Sequence, residues 1–306
     1  MNKPFVSIIL CTYNGERFLQ KQLDTLVQQT YRNFEVIAVD DCSTDKSYSI
    51  LKEQSTKDDR FKIYRNEMNL GFNENFEFGI RQAKGDYILI CDQDDLWELE
   101  KLECLILSIN GSLLYYHDSQ LISKDNQLLN KKLSDKFRLG AKLNPLSFIA
   151  LNCITGHTCM FSKELLSKPL FPFPKHIYYD NWLGFIASTY GNICYIDKCL
   201  VRYRIHGQNN AANKLKGKRL NATTRAICMN EIDSFYTFTP DEAPFKDFLR
   251  KLRNTYRSDT IWNNLFRVLL FLKHARSLTA ARNKSGLHRL SLCLKMSYKV
   301  LPNHLA

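Results

Sequence analysis

The residues best placed to do chemistry are carboxylates that follow apolar runs. Asp92-Gln93-Asp94 comes directly after Asp86 to Cys91 (DYILIC), and Asp40-Asp41 follows Phe34 to Val39 (FEVIAV). Two carboxylates one residue apart in a loop can reach the same side and share a hard divalent cation such as Mg2+ or Mn2+. Such a cation neutralises a diphosphate and stabilises it as a leaving group. The plain alternative is a solvated turn in which Asp95 caps the next helix and Glu98 completes a capping box. That alternative is kept for Asp95 and Glu98, and not for Asp92 and Asp94.

The elements that must position these groups can be read from periodicity. Phe5 to Cys11 (FVSIILC) reads as a buried strand, Phe34 to Val39 as a second, Phe61 to Tyr64 as a third and Asp86 to Cys91 as a fourth. Leu19, Leu23, Leu26, Val27 and Thr30 recur at helical spacing between the first two, and Phe76, Ile80 and Ala83 between the last two. Gly85 is expected to close that second helix in a left-handed conformation. Continuous apolar strands joined by helices predict an α/β fold with a parallel sheet covered on both faces. Ligands then bind beyond the carboxyl ends of the strands, where both carboxylate clusters sit. The two clusters would repel each other unless a cation or hydrogen-bond donors lie between them, so the pattern asks for a ligand. Further on, Tyr179 to Tyr190 reads as a helix, and Ile193 to Ile196 and Leu200 to Ile205 as strands. After Asn209 the chain becomes helical and basic.

With 44% hydrophobic and 24% charged residues, the chain has the composition of an ordinary soluble globular protein. No apolar run approaches the roughly 18 residues that span a bilayer, and strand-like sequence starts too early for a signal peptide. The ten cysteines are scattered without a CxxC pair, which argues for free thiols in a reducing cytosol over a zinc ribbon or redox motif. The net charge of +12 is uneven: residues 1–212 carry 25 Lys+Arg and 25 Asp+Glu, residues 213–306 carry 18 and 6. Two parts with different jobs follow, 1–210 and 211–306. The basic part, with its stripe Ile261, Leu265, Leu269 and Leu272, could sit on anionic lipid, bind an acidic partner, or be a solvated helical face. Paired basic and apolar faces favour the membrane surface. No nucleic-acid-binding module is present, so nucleic acid is not an expected partner.

Ser7-Ile-Ile-Leu-Cys-Thr-Tyr-Asn14, Gln29-Thr-Tyr-Arg-Asn-Phe-Glu-Val-Ile37, Asp40-Asp-Cys-Ser-Thr-Asp45, Asn69-Leu-Gly71, Gly85-Asp86 and Asp92-Gln-Asp-Asp-Leu-Trp97 follow one another in order. Together they resemble the inverting family-2 glycosyltransferases of the GT-A fold, over about residues 4–210. The Asp-Gln-Asp-Asp-x-Trp form is most similar to enzymes of bacterial surface polysaccharide synthesis, rhamnosyltransferases among them. The resemblance implies that Thr12 and Tyr13 line the nucleotide pocket and that Asp41 accepts the N3 proton of uracil or thymine. It implies that Asp92 holds ribose or shares the metal and that Asp94 is the direct ligand of Mn2+ or Mg2+. Asp40 and Asp41 also read as the start of a plain turn.

Asp180, in Tyr178-Tyr-Asp-Asn-Trp-Leu183, falls where the family carries its general base, although the family has Glu-Asp or His-Asp and this chain has Tyr179 before the aspartate. The alternative is an N-cap for the helix that begins there. His206, in Tyr203-Arg-Ile-His-Gly-Gln-Asn209, falls where similar enzymes complete the metal or diphosphate site, and imidazole suits Mn2+ better than Mg2+. Thr155-Gly156-His157 resembles the loop beneath the acceptor. Arg202 and Arg204 could pair with phosphate or line a solvated strand edge, and core packing is the expected role of Trp97 and Trp182.

The expectation is a cytoplasmic enzyme, peripheral on the inner face of the cell membrane. It passes a sugar from a UDP- or dTDP-linked nucleotide-sugar donor to a glycan or lipid-linked oligosaccharide acceptor. Two rivals are a nucleotidyltransferase that makes nucleotide sugars and an inactive glycan-binding scaffold. The first calls for a glycine-rich phosphate loop where this chain has Thr12-Tyr-Asn-Gly-Glu16, and the second would not need Asp92, Asp94 and Asp180.

Overall fold

The structure is a computed structural model that describes residues 3–206, 222–258, 260–282 and 286–298. Gly207, Gln208 and Asn209 of the last motif, and the expected boundary at 210, lie outside the described residues. Two compact units form. The first comprises Met1–Asp135, Ile154–Phe173 and Gly191–Gln208, and the second Lys136–Cys153, Pro174–Tyr190 and Asn209–Ala306. The division is therefore not one cut of the chain after residue 210: residues 136–153 and 174–190 group with the C-terminal helices.

In the first unit the chain runs through β1 (Val6–Thr12), α1 (Glu16–Val27), β2 (Phe34–Asp40), α2 (Ser47–Lys57), β3 (Phe61–Arg65), α3 (Phe72–Arg81), β4 (Tyr87–Asp92), β5 (Leu96–Trp97), α4 (Lys101–Leu107), β6 (Leu114–Ser123) and β7 (Leu128–Lys132). After α5 (Pro145–Ala150), which belongs to the second unit, β8 (Cys159–Ser162) returns to the first. Helix α6 (Tyr179–Tyr190) is again in the second unit, and β9 (Ile193–Ile205) in the first. The sheet order is β3-β2-β1-β4-β8-β6-β9-β5, with β7 paired to β6. Strands β3, β2, β1 and β4 are mutually parallel. Beyond them β8 is antiparallel to both neighbours, while β6 and β9 are parallel. Every residue of β1 and β2 is buried, which is why both read as continuous apolar runs. The two strands expected between 193 and 205 are one strand, whose register shifts opposite His117, Asp118 and Ser119.

Gly85 plays a different part from the expected left-handed cap. Helix α3 ends at Arg81, with Gln82 in the right-handed region. A Cβ on Gly85 would stand 2.5 Å from the Ser7 amide nitrogen, so glycine is required by the close approach of two main chains.

The second unit continues with α7 (Ala222–Thr237), α8 (Lys246–Thr255), α9 (Ile261–Lys273), α10 (Ala275–Leu278) and α11 (Gly286–Tyr298). Its core gathers Trp182, Phe185, Phe235 and Phe238, with ring centroids 4.6–6.0 Å apart. Trp97 of the first unit is buried as well, so both tryptophans serve packing. All ten cysteines are free thiols. No helix of the described residues is long and apolar enough to cross a membrane.

Candidate active site

Parallel pairing of β1 with β2 and β4 brings three chain segments together at the carboxyl ends of the strands. Thr12 lies opposite Asp40, and Cys11 opposite Asp92. The loops that follow are stitched together. The Asp41 amide donates to Thr12 O at 2.8 Å, the Asn14 amide to Ser43 Oγ at 3.0 Å, and the Thr44 amide to Asn14 Oδ1 at 2.9 Å. The amides opening α1 are spent internally as well, Gly15 N on Ser47 Oγ and Glu16 N on Asp45 Oδ2. A phosphate cradle at that helix would need those amides free. Buried Thr12 turns its hydroxyl to Asp40, whose carboxylate also accepts from the Ser43 amide; Asp40 thus ends β2 and holds the turn that follows it. Asp41 accepts from Asn66 Nδ2 at 2.7 Å, Leu70 N at 2.8 Å and Gly71 N at 2.9 Å, holding the loop that leads to α3. Tyr13 is exposed.

The acidic loop after β4 is fixed from several sides. Asp94 Oδ2 lies 2.7 Å from His206 Nε2. Asp92 Oδ2 and Asp95 Oδ2 lie 3.6 and 3.4 Å from His157 Nδ1. His157 places Nε2 3.0 Å from Ser119 Oγ and stacks on Tyr203 with centroids 4.5 Å apart. Asp95 is fully buried; Oδ1 accepts the Arg204 amide, and Oδ2 has no hydrogen-bond partner among the described residues. Burial, then the charges of Asp94 and Asp92, raises the Asp95 carboxyl well above the usual carboxylate range. Burial lowers the His157 imidazole, with Asp92 pulling the other way. Lys101 is buried beneath, donating to His157 O at 2.7 Å, and burial brings its ammonium down to about 7.

These contacts correct two expectations. Asp95 does not cap a helix, because Leu96 and Trp97 pair with Arg202 and Val201 of β9 and the helix waits until Lys101. Glu98 takes no part in a capping box and instead pairs with Arg202. Arg204 is buried rather than waiting for phosphate: it donates to Asp94 O at 2.6 Å and to Asn126 Oδ1 at 2.7 Å, with its guanidinium 4.6 Å from the Phe18 ring centroid.

In the second unit Asp180 is half-buried and is the second residue of α6. Its Oδ1 accepts from the Asn181 amide at 2.6 Å. It is therefore inside the first turn rather than at the N-cap, where its charge suits the helix dipole. The Tyr178 hydroxyl is pushed up to about 12, by burial and then by the charge of Asp180.

The donors suit a divalent cation. Asp92, Asp95 and His157 each offer a ligand atom, all within 4.8 Å of one another. Asp95 Oδ2 is a buried oxygen with no hydrogen bond among the described residues, and an ion would satisfy it. Carboxylate oxygens fit Mg2+ or Mn2+, and imidazole nitrogen fits the latter. Asp94 with His206 forms a second carboxylate–imidazole pair.

A family model described as glycosyl transferase family 2 matches residues 7–169. The chain belongs to that family. The Escherichia coli UDP-Glc:alpha-D-GlcNAc-diphosphoundecaprenol beta-1,3-glucosyltransferase WfgD is 27% identical to this glycosyltransferase over 219 residues, spanning 71% of this chain and 83% of its own. Staphylococcus aureus TarS 1–349 in complex with UDP-GlcNAc matches with a TM-score of 0.62 and 19% identity, over 90% of this chain and 81% of that one. The mannosyltransferase PcManGT of Pyrobaculum calidifontis, in complex with GDP-Man and Mn2+, matches with a TM-score of 0.56 and 16% identity, over 97% and 85%. Both solved structures show the GT-A fold for this glycosyltransferase. Membership of the family sets aside the nucleotidyltransferase reading.

Of the residues singled out in the sequence, Thr12, Tyr13, Asp41, Asp92, Asp94 and His206 belong to the first unit and Asp180 to the second. The sequence reading gave Asp95 to a helix cap and His157 to a loop beneath the acceptor, and brought neither to Asp92. Only the place of Asp95 directly after Asp-x-Asp, and a glycine-flanked histidine, marked them in the sequence.

Proposed function

We propose that this glycosyltransferase transfers a sugar, with inversion, from a UDP- or dTDP-linked donor to a glycan or lipid-linked acceptor in surface polysaccharide synthesis. The observation that carries the reading is the Asp92–Asp95 loop at the end of β4, joined by His157 and His206 and adjoining the Thr12–Asp41 strand ends. The diphosphoundecaprenol-linked substrate named for the E. coli relative supports a lipid-linked acceptor, and hence a working place on the inner face of the cell membrane. The UDP-GlcNAc held by TarS supports a uridine donor.

Tyr13 and Thr12 would line the nucleotide pocket, and Asp41, with three of about four acceptor sites in use, keeps one for the pyrimidine N3 proton. Asp92 would hold the ribose. Asp94 and His206 would hold Mn2+ or Mg2+; the 4.8 Å grouping favours Asp92, Asp95 and His157 as a second donor set. A bound ion supplies charge neutralisation to the departing diphosphate. Asp180 would take the proton of the attacking acceptor hydroxyl, and the build-up of positive charge at the anomeric carbon would follow the usual course of glycosyl transfer. Incubation with a panel of UDP-, dTDP- and GDP-sugars, with Mn2+ and with EDTA, tests the reading. Metal-dependent release of UDP or dTDP is expected; no release from any of the sugars would end it.

A further inference from the structure

Helix α9 presents two opposite faces. Val268, Leu270 and Phe271 are buried, and buried Arg267 ties the helix to α8 through Thr255. The outward face is also apolar. Ile261 is 83% exposed, Trp262 78%, Leu265 46%, Phe266 44% and Leu269 54%. At 3.6 residues per turn these five side chains fill one contiguous sector of roughly 140°. The neighbouring α11 carries a second such row, with Leu287 81%, Leu290 44% and Leu294 39% exposed. Scattered exposed leucines are ordinary, but a contiguous apolar sector that includes a tryptophan marks a surface that is covered in use.

The charge around it says by what. From Thr260 to the end of the chain there are eight Lys+Arg and no Asp or Glu. Lys273, Arg276 and Lys295 are exposed on or just beyond these helices. A second copy of the chain would bring two faces of the same sign together, which like charges oppose. A bilayer with anionic headgroups meets both features, taking the apolar row into its interface and pairing the cations with its phosphates.

We propose that the outward faces of α9 and α11 form a lipid-docking surface that lies in the plane of an anionic bilayer, with Trp262 as its interfacial anchor. The purpose of such docking rests on the lipid-linked acceptor proposed above; the docking itself does not. The test is flotation of the full-length enzyme with vesicles of phosphatidylcholine alone, and of phosphatidylcholine and phosphatidylglycerol in equal parts. Binding to the anionic vesicles should be at least roughly tenfold stronger and should fall with salt. The double variant Trp262→Ser, Leu265→Ser should lose roughly tenfold of it, and Lys273→Glu, Arg276→Glu a similar amount. These positions are exposed, and circular dichroism should show both variants folded. Equal flotation on the two vesicle types, or variants that float like wild type, would overturn the proposal. So would a dimer in vesicle-free sedimentation that the serine variant dissolves. Nucleotide-sugar hydrolysis without vesicles is read in parallel, so a failure of docking is told apart from a failure of the catalytic reading.

Discussion

Gln93 closes a ring of two hydrogen bonds with the main chain of Tyr13, accepting from its amide at 2.9 Å and donating to its carbonyl at 3.1 Å. The middle residue of the acidic tripeptide thus ties the loop after β4 to the loop after β1. The tie explains Gly15 as well, because a Cβ there would lie 2.1 Å from Gln93 Oε1.

Gln93→Ala should free the Tyr13 loop while leaving Asp92 and Asp94 chemically intact. Two exposed hydrogen bonds contribute about 1 kcal/mol each, so stability should fall by no more than about 2 kcal/mol. UDP affinity should drop roughly three- to tenfold, since 1.4 kcal/mol corresponds to a tenfold change. Calorimetry on the variant checks this, and unchanged affinity would show that the Tyr13 loop does not meet the nucleotide.

Asp94→Asn should remove metal-dependent turnover, lowering it roughly a hundredfold or more, because the metal's charge is worth several kcal/mol in the transition state. The fold should survive, since Asp94 sits in a loop and its carbonyl contact with Arg204 is kept. Mn2+ titration of Asp94→Asn against His157→Asn separates the two donor sets. Wild-type turnover that is indifferent to EDTA would remove the metal from the mechanism altogether.

Nucleotide choice follows from Asp41. If its remaining acceptor site reads the pyrimidine N3 proton, UDP or dTDP should bind at least about tenfold more tightly than GDP, about 1.4 kcal/mol. Equal affinities would leave Asp41 with the one job the hydrogen bonds already give it, holding Asn66, Leu70 and Gly71.

Lys101 provides a pH test of the buried floor of the site. Its ammonium titrates at about 7 in the folded protein against about 10.4 unfolded. Between those values the unfolded chain binds more protons, so this group makes stability rise with pH across that window and contributes no further change below it. Lys101→Met should abolish that contribution. Urea unfolding of both proteins at about pH 6 and about pH 9.5 gives the comparison, with wild type gaining on the variant at the higher pH. A difference that does not move with pH would mean that Lys101 stays charged in the fold.

Much of this was legible because strands buried on both faces leave unbroken apolar runs, as in β1, β2 and β4. Strand β7 was not, because all five of its residues are exposed and none needs to be apolar. Asp95 shows why local patterns fail at the site. Its Asp-x-x-Glu spacing fits a helix start, but pairing of Leu96 and Trp97 with β9, far along the chain, overrides it. His157 reaches Asp92 and Asp95 only through the fold, from the 3-10 turn Gly156–Thr158 before β8. The sequence boundary at 210 followed charge, which does not record that α5 and α6 pack with each other in the second unit.

The base assignment at Asp180 can be tested apart from its place in α6. Since Asp180 is the second residue of the helix, replacing it with asparagine removes a charge from the first turn, worth about 0.3–1 kcal/mol. The hydrogen bond from the Asn181 amide to Oδ1 can be kept by the asparagine oxygen. Stability of Asp180→Asn should therefore change by less than about 1 kcal/mol. Donor affinity should be nearly unchanged, because the diphosphate is assigned to Asp94 and His206. Transfer to acceptor should nevertheless fall roughly a hundredfold or more, the usual contribution of positioned proton transfer. Melting temperature, UDP affinity and transfer rate measured on this one protein decide the matter. A transfer rate close to wild type would leave Asp180 as a residue of the helix and nothing more.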